Sequence, residues 1–230
     1  MNSPLGSLGV IVERNVEVRM RDGTVLRADI WRPDAAGQFP VLIERTPYDK
    51  TTSSESSLGA GEYYASHGYV TVIQDVRGRF ASDGLFYPFR DDGDGENQDG
   101  YDTVEWAATQ PWSNKKIGTI GGSYSGATQY RMLATQPPHL VAQFVRQSSS
   151  DYYIEWVYRS GVFEHGFNIS WTLKHASTNA VKLAPEGMED EVVARLTKAS
   201  DHYQKWLEHV PISPLPPVAD LQDWFVDWMD

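Results

Sequence analysis

The chain has 230 residues, of which 40% are hydrophobic and 12% aromatic, a composition typical of a globular protein. Its formal net charge is −11 and it contains no basic run, so nucleic acid and anionic membranes are excluded as expected partners. It has no cysteine, which excludes disulfides, thiolate metal sites and cysteine nucleophiles. No stretch is long and apolar enough to span a bilayer, and we expect a cytoplasmic protein.

The first 150 residues predict an α/β fold with a mostly parallel sheet that opens with an antiparallel hairpin. Apolar and polar residues alternate over 10–20 and 24–31, on either side of a turn at Arg21-Asp22-Gly23. Short apolar runs predict buried strands at 41–43, 69–73 and 140–145, and the intervening patterns predict helices at about 62–68, 101–109 and 124–136. This alternation of strands and helices is typical of α/β sheets. Residues 51–61 are polar and aperiodic, and we expect a loop there.

Residues 116–126 form the stretch around which we expect this fold to be organised. An apolar run ends in glycines around Ser123, after which a helical pattern begins. Gly121 permits strained backbone, and Gly122 removes a side chain that would obstruct a substrate. A hydroxyl at such a turn, beside the amides that begin a helix, suits a nucleophilic serine. Ser125 stands where the G-x-S-x-G pattern has its last glycine, and the alternative is an ordinary glycine-rich turn.

A serine nucleophile in an α/β-hydrolase is followed along the chain by an acid and then a histidine base. His139 begins a predicted strand and is expected to be structural, while His202 and His209 fall on a predicted amphipathic helix and are expected to be solvated. His165 could line a pocket, but no strand end positions it as a base. Either the hydrolase machinery is incomplete in this chain, or the base lies outside the expected order.

Tyr48 follows the first predicted parallel strand, where α/β-hydrolases place their second oxyanion-hole donor. A tyrosine hydroxyl can supply that hydrogen bond, although an ordinary surface tyrosine is the equal alternative. Asp75 and Arg77 follow the next strand, and we expect them to pair with each other and shape their loop. Residues 92–97 resemble a calcium loop but lack its glycine position, so we expect no metal and no cofactor.

Beyond residue 150 the pattern changes to helices. Residues 152–177 are predicted to be mainly helical, and apolar residues spaced from 192 to 210 predict one amphipathic helix. Prolines between 211 and 217 predict an extended break, and a last helix is expected within 220–229. We therefore divide the chain into domains at 1–149 and 150–230.

Six stretches, taken in this order, resemble the CocE/NonD hydrolases, the cocaine esterase and Xaa-Pro dipeptidyl-peptidase family: residues 21–33, 46–50, 75–79, 99–106, 110–113 and 121–126. The family pattern at the turn is G-x-S-Y-x-G, which Ser123 and its neighbours match. The resemblance implies that Ser123 accepts the acyl group and that the Tyr48 hydroxyl and the Tyr124 backbone N–H form the oxyanion hole. It also implies that residues 150–230 are a helical cap, and that the family's acid, histidine and jelly-roll domain would follow it.

We therefore expect a serine hydrolase that cleaves a small ester, amide or peptide substrate through an acyl-enzyme on Ser123. The residues do not distinguish an esterase from an acylase or an Xaa-Pro dipeptidyl-peptidase. The rival hypothesis is a non-catalytic remnant or subunit that lacks the acid and the histidine. A sheet without its later strands has an unpaired edge, so we also expect possible self-association.

Overall fold

The computed structural model describes residues 8–52, 59–93 and 95–229, and the chain divides into two compact units, Met1–Ser150 and Asp151–Asp230. The first unit contains a six-stranded sheet with the order β1-β2-β4-β3-β5-β6. Its strands are β1 (Val10–Arg19), β2 (Val25–Pro33), β3 (Phe39–Thr46), β4 (Val70–Asp75), β5 (Ser113–Gly122) and β6 (Leu140–Arg146).

The sheet is mixed, as the sequence predicted. β1 and β2 form an antiparallel hairpin with a bulge between Glu13 and Val16, and β2 continues antiparallel to β4. β3 runs parallel to both β4 and β5, and β5 runs parallel to β6. The expected mostly parallel sheet with an antiparallel N-terminal hairpin is confirmed. β1 and β6 are its two edges.

Helices cover both faces of this sheet: α1 (Ala60–Ser66), α2 (Asp99–Thr109) and α3 (Tyr124–Leu133). Successive residues of a strand point to opposite faces. Ile30 packs in the larger apolar cluster with residues of α2 and α3, whereas its neighbour Trp31 packs with Ala65 of α1. The parallel strands therefore lie between two helical layers, which explains why they read as continuous apolar runs.

Several predicted helix boundaries in this unit differ from the structure by two or three residues. The helix predicted to reach residue 136 ends at Leu133, because Gln136 adopts a φ of 51°, which closes the helix before the prolines that follow. The helix expected from residue 62 begins two residues earlier, at Ala60. Of the predicted polar loop at 51–61, residues 53–58 lie outside the described residues.

The second unit is built mainly of short helices. It contains a π-helical turn (Tyr153–Val157), the strands β7 (Tyr158–Arg159) and β8 (Val162–Phe163), the helices α4 (His165–Thr178), α5 (Ala180–Leu183) and α6 (Glu189–Asp201), a 3₁₀ helix (Tyr203–Glu208) and α7 (Trp224–Asp227). Its apolar residues pack α4 against α6, with Ile169, Leu173, Val192 and Leu196 all buried. In the described part of the chain, no helix is both long and apolar enough to cross a membrane.

Residues 152–177 are mainly helical, as predicted, but the helix is interrupted, because Ser160 and Gly161 both adopt positive φ and close the β7–β8 hairpin. One prediction for this unit is corrected. The amphipathic helix does not reach residue 210. It ends at Asp201, and the chain continues as a 3₁₀ helix, in which residues three apart still share a face and prolong the apolar pattern. His202 and His209 therefore lie at the ends of the 3₁₀ helix rather than on α6.

Candidate active site

Ser123 lies at the junction of β5 and α3, where the sequence placed it. Its backbone adopts φ 54° and ψ −121°, which a non-glycine residue rarely occupies. Four hydrogen bonds fix this turn. The Ser123 N–H donates to the Arg146 carbonyl at 3.0 Å, and the Ser123 carbonyl accepts from the Gly126 and Ala127 N–H groups, both at 3.0 Å, and from the Ser148 hydroxyl at 2.8 Å. Strain held in place by surrounding bonds is common at functional sites.

Close packing around the turn requires small residues. Gly121 has a φ of 137°, and a Cβ at this position would lie 2.5 Å from the Cβ of Ser125. A Cβ on Gly126 would lie 2.5 Å from the Cβ of Ser148. The helix therefore begins directly against β5 and the chain after β6, and Ser123 stays half-buried at the tip.

Tyr124 anchors the first turn of α3. Its side chain is 1% exposed, stacks on Phe89 with 4.2 Å between ring centroids, and accepts a hydrogen bond from the Phe89 N–H at 3.0 Å. Burial raises the pKa of the Tyr124 hydroxyl well above its usual range. The phenol is thus neutral and structural. The Tyr124 backbone N–H is at the first position of α3, where the hydrogen bonds within the helix do not use it.

Tyr48 lies in the loop after β3, beside Tyr124. The two rings meet edge to face with 6.3 Å between centroids. The Tyr48 N–H donates to the Thr46 hydroxyl at 3.1 Å, and the guanidinium of Arg79 donates to the Pro47 carbonyl at 2.9 Å. The structure therefore brings Tyr48 to the residue that follows Ser123 and holds its loop on both sides.

The carboxylate of Asp75 ties this loop to the end of β4. Its oxygens accept the Lys50 N–H at 2.7 Å, the Lys50 ammonium at 3.2 Å and the Ala81 N–H at 3.2 Å. Burial raises the pKa of Asp75, and these hydrogen bonds oppose that rise. The expected Asp75–Arg77 pair is therefore wrong: β3 and β4 are adjacent and parallel, so their ends bring Lys50 to Asp75.

Arg77 instead belongs to a second charged cluster behind the site. It donates two hydrogen bonds to Asp99, at 2.6 and 3.0 Å, and one to Asp22 at 2.6 Å. Desolvation raises the pKa of the buried Asp99 to about 6 despite this pairing, whereas the Arg77 hydrogen bond lowers the pKa of Asp22 to about 2. Arg45 extends the cluster through a 2.6 Å ion pair with Asp92. These pairs fix the loops that surround Tyr124.

Glu44 lies beneath the turn. Its side chain is buried on β3 and accepts a hydrogen bond from the Ser125 hydroxyl at 3.1 Å. Ser125, the departure from the G-x-S-x-G pattern, therefore has a partner that a glycine could not provide. The contact links the first turn of α3 to the centre of the sheet.

The first unit contains two histidines, and neither is hydrogen-bonded to Ser123 in the structure. His139 forms a 2.7 Å contact with Glu105, and His67 contacts the Tyr63 carbonyl at 2.6 Å, so both have local partners. His165 begins α4 in the second unit, at a helix start rather than a strand end. Among residues 8–52, 59–93 and 95–229, no cluster of histidine, aspartate or glutamate is arranged to hold a metal ion.

Sequence reasoning placed Ser123, Tyr48 and Tyr124 but missed the residues that support them. Lys50, Arg79 and Glu44 are buried charges whose partners are far away in the chain. A signal was present for the first two, because each lies in a short polar stretch directly after a predicted parallel strand. Glu44 gave a weaker signal, as a single acid at the end of an apolar run.

Comparison with known proteins identifies the family. Residues 22–222 match the family model for X-Pro dipeptidyl-peptidase (S15 family). The chain is 32% identical over 222 residues to the cocaine esterase of Rhodococcus sp. (strain MB1 Bresler), covering 94% of this chain and 38% of that protein. The chain thus spans about two-fifths of the length of this relative.

Solved structures agree with this assignment. A CocE/NonD family hydrolase from Staphylococcus aureus superposes with a TM-score of 0.68 at 29% identity, covering 90% of this chain and 39% of that one. An α-amino acid ester hydrolase shares the fold with a TM-score of 0.57 at 24% identity, covering 96% of this chain and 41% of that one. The resemblance to the CocE/NonD hydrolases is confirmed, and the chain belongs to the S15 family of X-Pro dipeptidyl-peptidases.

Proposed function

We propose that the protein is a serine hydrolase in which Ser123 attacks the carbonyl carbon of an ester or amide. The Ser123 oxygen forms a bond to that carbon, its proton passes to a base, and the alcohol or amine leaves to give an acyl-enzyme. Water then releases the acid and regenerates the serine. The observation that carries this proposal is the strained backbone of Ser123 at the β5–α3 junction, among residues that leave no room for a Cβ.

The oxyanion that forms during this attack requires hydrogen-bond donors. We assign this role to the Tyr48 hydroxyl and the Tyr124 backbone N–H. The edge contact between the two rings supports the assignment, since it places the Tyr48 side chain next to the start of α3. The tight anchoring of both residues supports it further, because donors fixed in advance need little reorganisation during the reaction.

The names of the relatives support a choice of substrate class. The cocaine esterase relative and the α-amino acid ester hydrolase neighbour are named for ester substrates, whereas the family is named for a peptidase. We therefore propose a small ester as the substrate, with peptide amides as the second choice. Residues 150–230 are proposed to be the helical cap of the family, and the protein is proposed to be cytoplasmic, with neither nucleic acid nor membrane as partner.

One observation favours a second candidate function. Within the described residues of the first unit, neither histidine is hydrogen-bonded to Ser123, and each has a local partner instead. The alternative is therefore a non-catalytic subunit or remnant that binds the substrate class without cleaving it.

Ester turnover distinguishes the two candidates. We would measure hydrolysis of p-nitrophenyl butyrate by the wild type, by Ser123→Ala and by Ser66→Ala, which removes a half-buried hydroxyl at the end of α1. We expect turnover that Ser66→Ala retains and Ser123→Ala loses. Equal turnover by Ser123→Ala, or no turnover by a folded wild type, would contradict the catalytic proposal.

A further inference from the structure

The second unit contains a groove of about 500 Å³ that is open to solvent. Arg195, Lys198 and His202 approach it from one face of α6 and its C-terminal end, with Lys205 added by the 3₁₀ helix. Trp206, Pro216 and Pro217 supply apolar walls. We call this the basic groove. It brings together three elements of the unit: α6, the 3₁₀ helix and the proline-rich segment that follows.

The basic side chains share one face because of their spacing. Positions 195 and 198 are three residues apart on α6, and position 202, its C-cap, follows four residues later, so the three side chains lie on the same side. No aspartate or glutamate lines the groove in the described part of the chain. A concentration of positive charge is unusual in a chain of net charge −11 and favours an anionic occupant.

The protein itself neutralises only one of the groove's three arginine and lysine cations by an ion pair within the described segments. Arg195 donates two hydrogen bonds to Asp220, each at 3.1 Å, and its Nε is buried without a hydrogen-bond partner among the described residues. Lys198 and Lys205 are exposed and form no ion pair within the described segments. The unpaired lysine charges therefore favour an anion in the groove.

His202 adds a further polar group. Its Nδ1 lies 3.0 Å from the Lys198 carbonyl, and a carbonyl oxygen only accepts, so Nδ1 carries the proton. This leaves Nε2 for other partners. The indole of Trp206 and the two prolines offer flat apolar surface beside these polar groups, which suits a ligand with a planar body.

We propose that the basic groove binds an organic anion consisting of a carboxylate on a flat apolar body. The carboxylate accepts hydrogen bonds from the lysines, and the body packs on Trp206 and the prolines. The proposal uses only residues of the second unit and none of the chemistry assigned to Ser123, so it stands whether or not the protein is a hydrolase.

The test uses two small probes of matched shape, 4-(trifluoromethyl)benzoate and the neutral 4-(trifluoromethyl)benzyl alcohol, titrated into the full 230-residue chain by fluorine NMR. The groove variant is Lys198→Gln/Lys205→Gln, which removes both unpaired charges while keeping long side chains with good helix propensity. The control is Lys174→Gln, an exposed lysine on α4 that does not line the groove. Thermal melting of each variant verifies that it is folded.

We expect the benzoate to bind, and the double variant to bind it about fivefold more weakly or worse, while Lys174→Gln is unchanged. Added salt should weaken binding of the benzoate more than binding of the alcohol. Equal affinity for the two probes, unchanged affinity in the folded double variant, or no binding to the folded wild type would overturn the proposal.

Discussion

The Lys50 N–H donates to the Asp75 carboxylate at 2.7 Å, and the Lys50 ammonium donates to the same carboxylate at 3.2 Å. Lys50 follows β3 and Asp75 ends β4. This single carboxylate therefore links the C-terminal ends of two adjacent parallel strands. Tyr48 lies two residues before Lys50. The position of the proposed oxyanion donor therefore depends on a buried ion pair rather than on the tyrosine's own contacts alone.

Asp75→Asn removes the charge that balances Lys50, whose other carboxylate neighbour, Asp29, lies 4.0 Å away. A buried ammonium left without its partner costs about 3 to 5 kcal/mol of stability. Urea unfolding should show a loss of this size. In a double-mutant cycle, Lys50→Met combined with Asp75→Asn should recover part of that loss, because no unpaired charge remains. Strictly additive losses would show that the pair is not coupled.

Tyr48→Phe tests the proposed oxyanion hole without disturbing the ring packing. Removal of one donor to the oxyanion reduces kcat by about a hundredfold or more, because that hydrogen bond strengthens in the transition state. We expect KM for p-nitrophenyl butyrate to change little. Tyr63→Phe, on an exposed tyrosine of α1, is the matched control. A Tyr48→Phe enzyme with unchanged kcat would assign the oxyanion contact to another group.

Gly121→Ala tests the packing of the strand-to-helix turn. The added methyl would lie 2.5 Å from the Cβ of Ser125, on a backbone with φ 137°. We expect a loss of at least about 2 kcal/mol, from overpacking together with backbone strain. Gly166→Ala on α4 is the control, since a Cβ there has nothing within 4 Å and adds helix propensity. Equal melting temperatures of the two variants would contradict the described geometry.

Asp99 predicts a specific pH dependence of stability. Burial raises its pKa from 3.8 to about 6, so the folded protein holds its proton more tightly than the unfolded chain does. The stability that Asp99 contributes is fully present below pH 3.8 and is lost as the pH rises through about 6. The stability difference between the wild type and Asp99→Asn should therefore change across this window.

Asp22 provides the opposite control. Its pKa is lowered to about 2, so its contribution is present above 3.8 and is lost as the pH falls through about 2. The difference in unfolding free energy between the wild type and Asp22→Asn should stay constant in the pH window where the difference for Asp99→Asn changes. Urea unfolding at a series of pH values measures both. Parallel profiles for the two variants would contradict the assigned environments.

The edge strand β6 predicts self-association of this chain. Val141 and Phe144 are 63% and 62% exposed on a strand whose outer edge pairs with no other strand of the described sheet. Exposed apolar edges favour pairing between molecules. Sedimentation should show oligomers that Phe144→Lys reduces, whereas Leu85→Lys, an exposed apolar residue in a loop, should not. A monodisperse wild-type monomer would contradict this prediction.

The sequence was informative where local rules decide the structure. Alternation identified the β1–β2 hairpin, and the glycines around Ser123 identified the turn, because only small residues fit there. Partner choice among charges was not predictable. Asp75 and Arg77 are close in sequence, yet Asp75 pairs with Lys50, which follows the adjacent parallel strand, and Arg77 pairs with Asp99 at the start of α2. Likewise, apolar spacing did not distinguish α6 from the 3₁₀ helix, since residues three apart lie on the same face in both kinds of helix.

The central claim is that Ser123 is the nucleophile, and covalent labelling tests it most directly. The protein would be treated with a fluorophosphonate, and the adduct would be located by intact mass and peptide mapping in the wild type, Ser123→Ala and Ser66→Ala. We predict one adduct on Ser123, retained in Ser66→Ala and absent from Ser123→Ala. An adduct that persists in Ser123→Ala, or a folded wild type that takes up no label, would contradict the account.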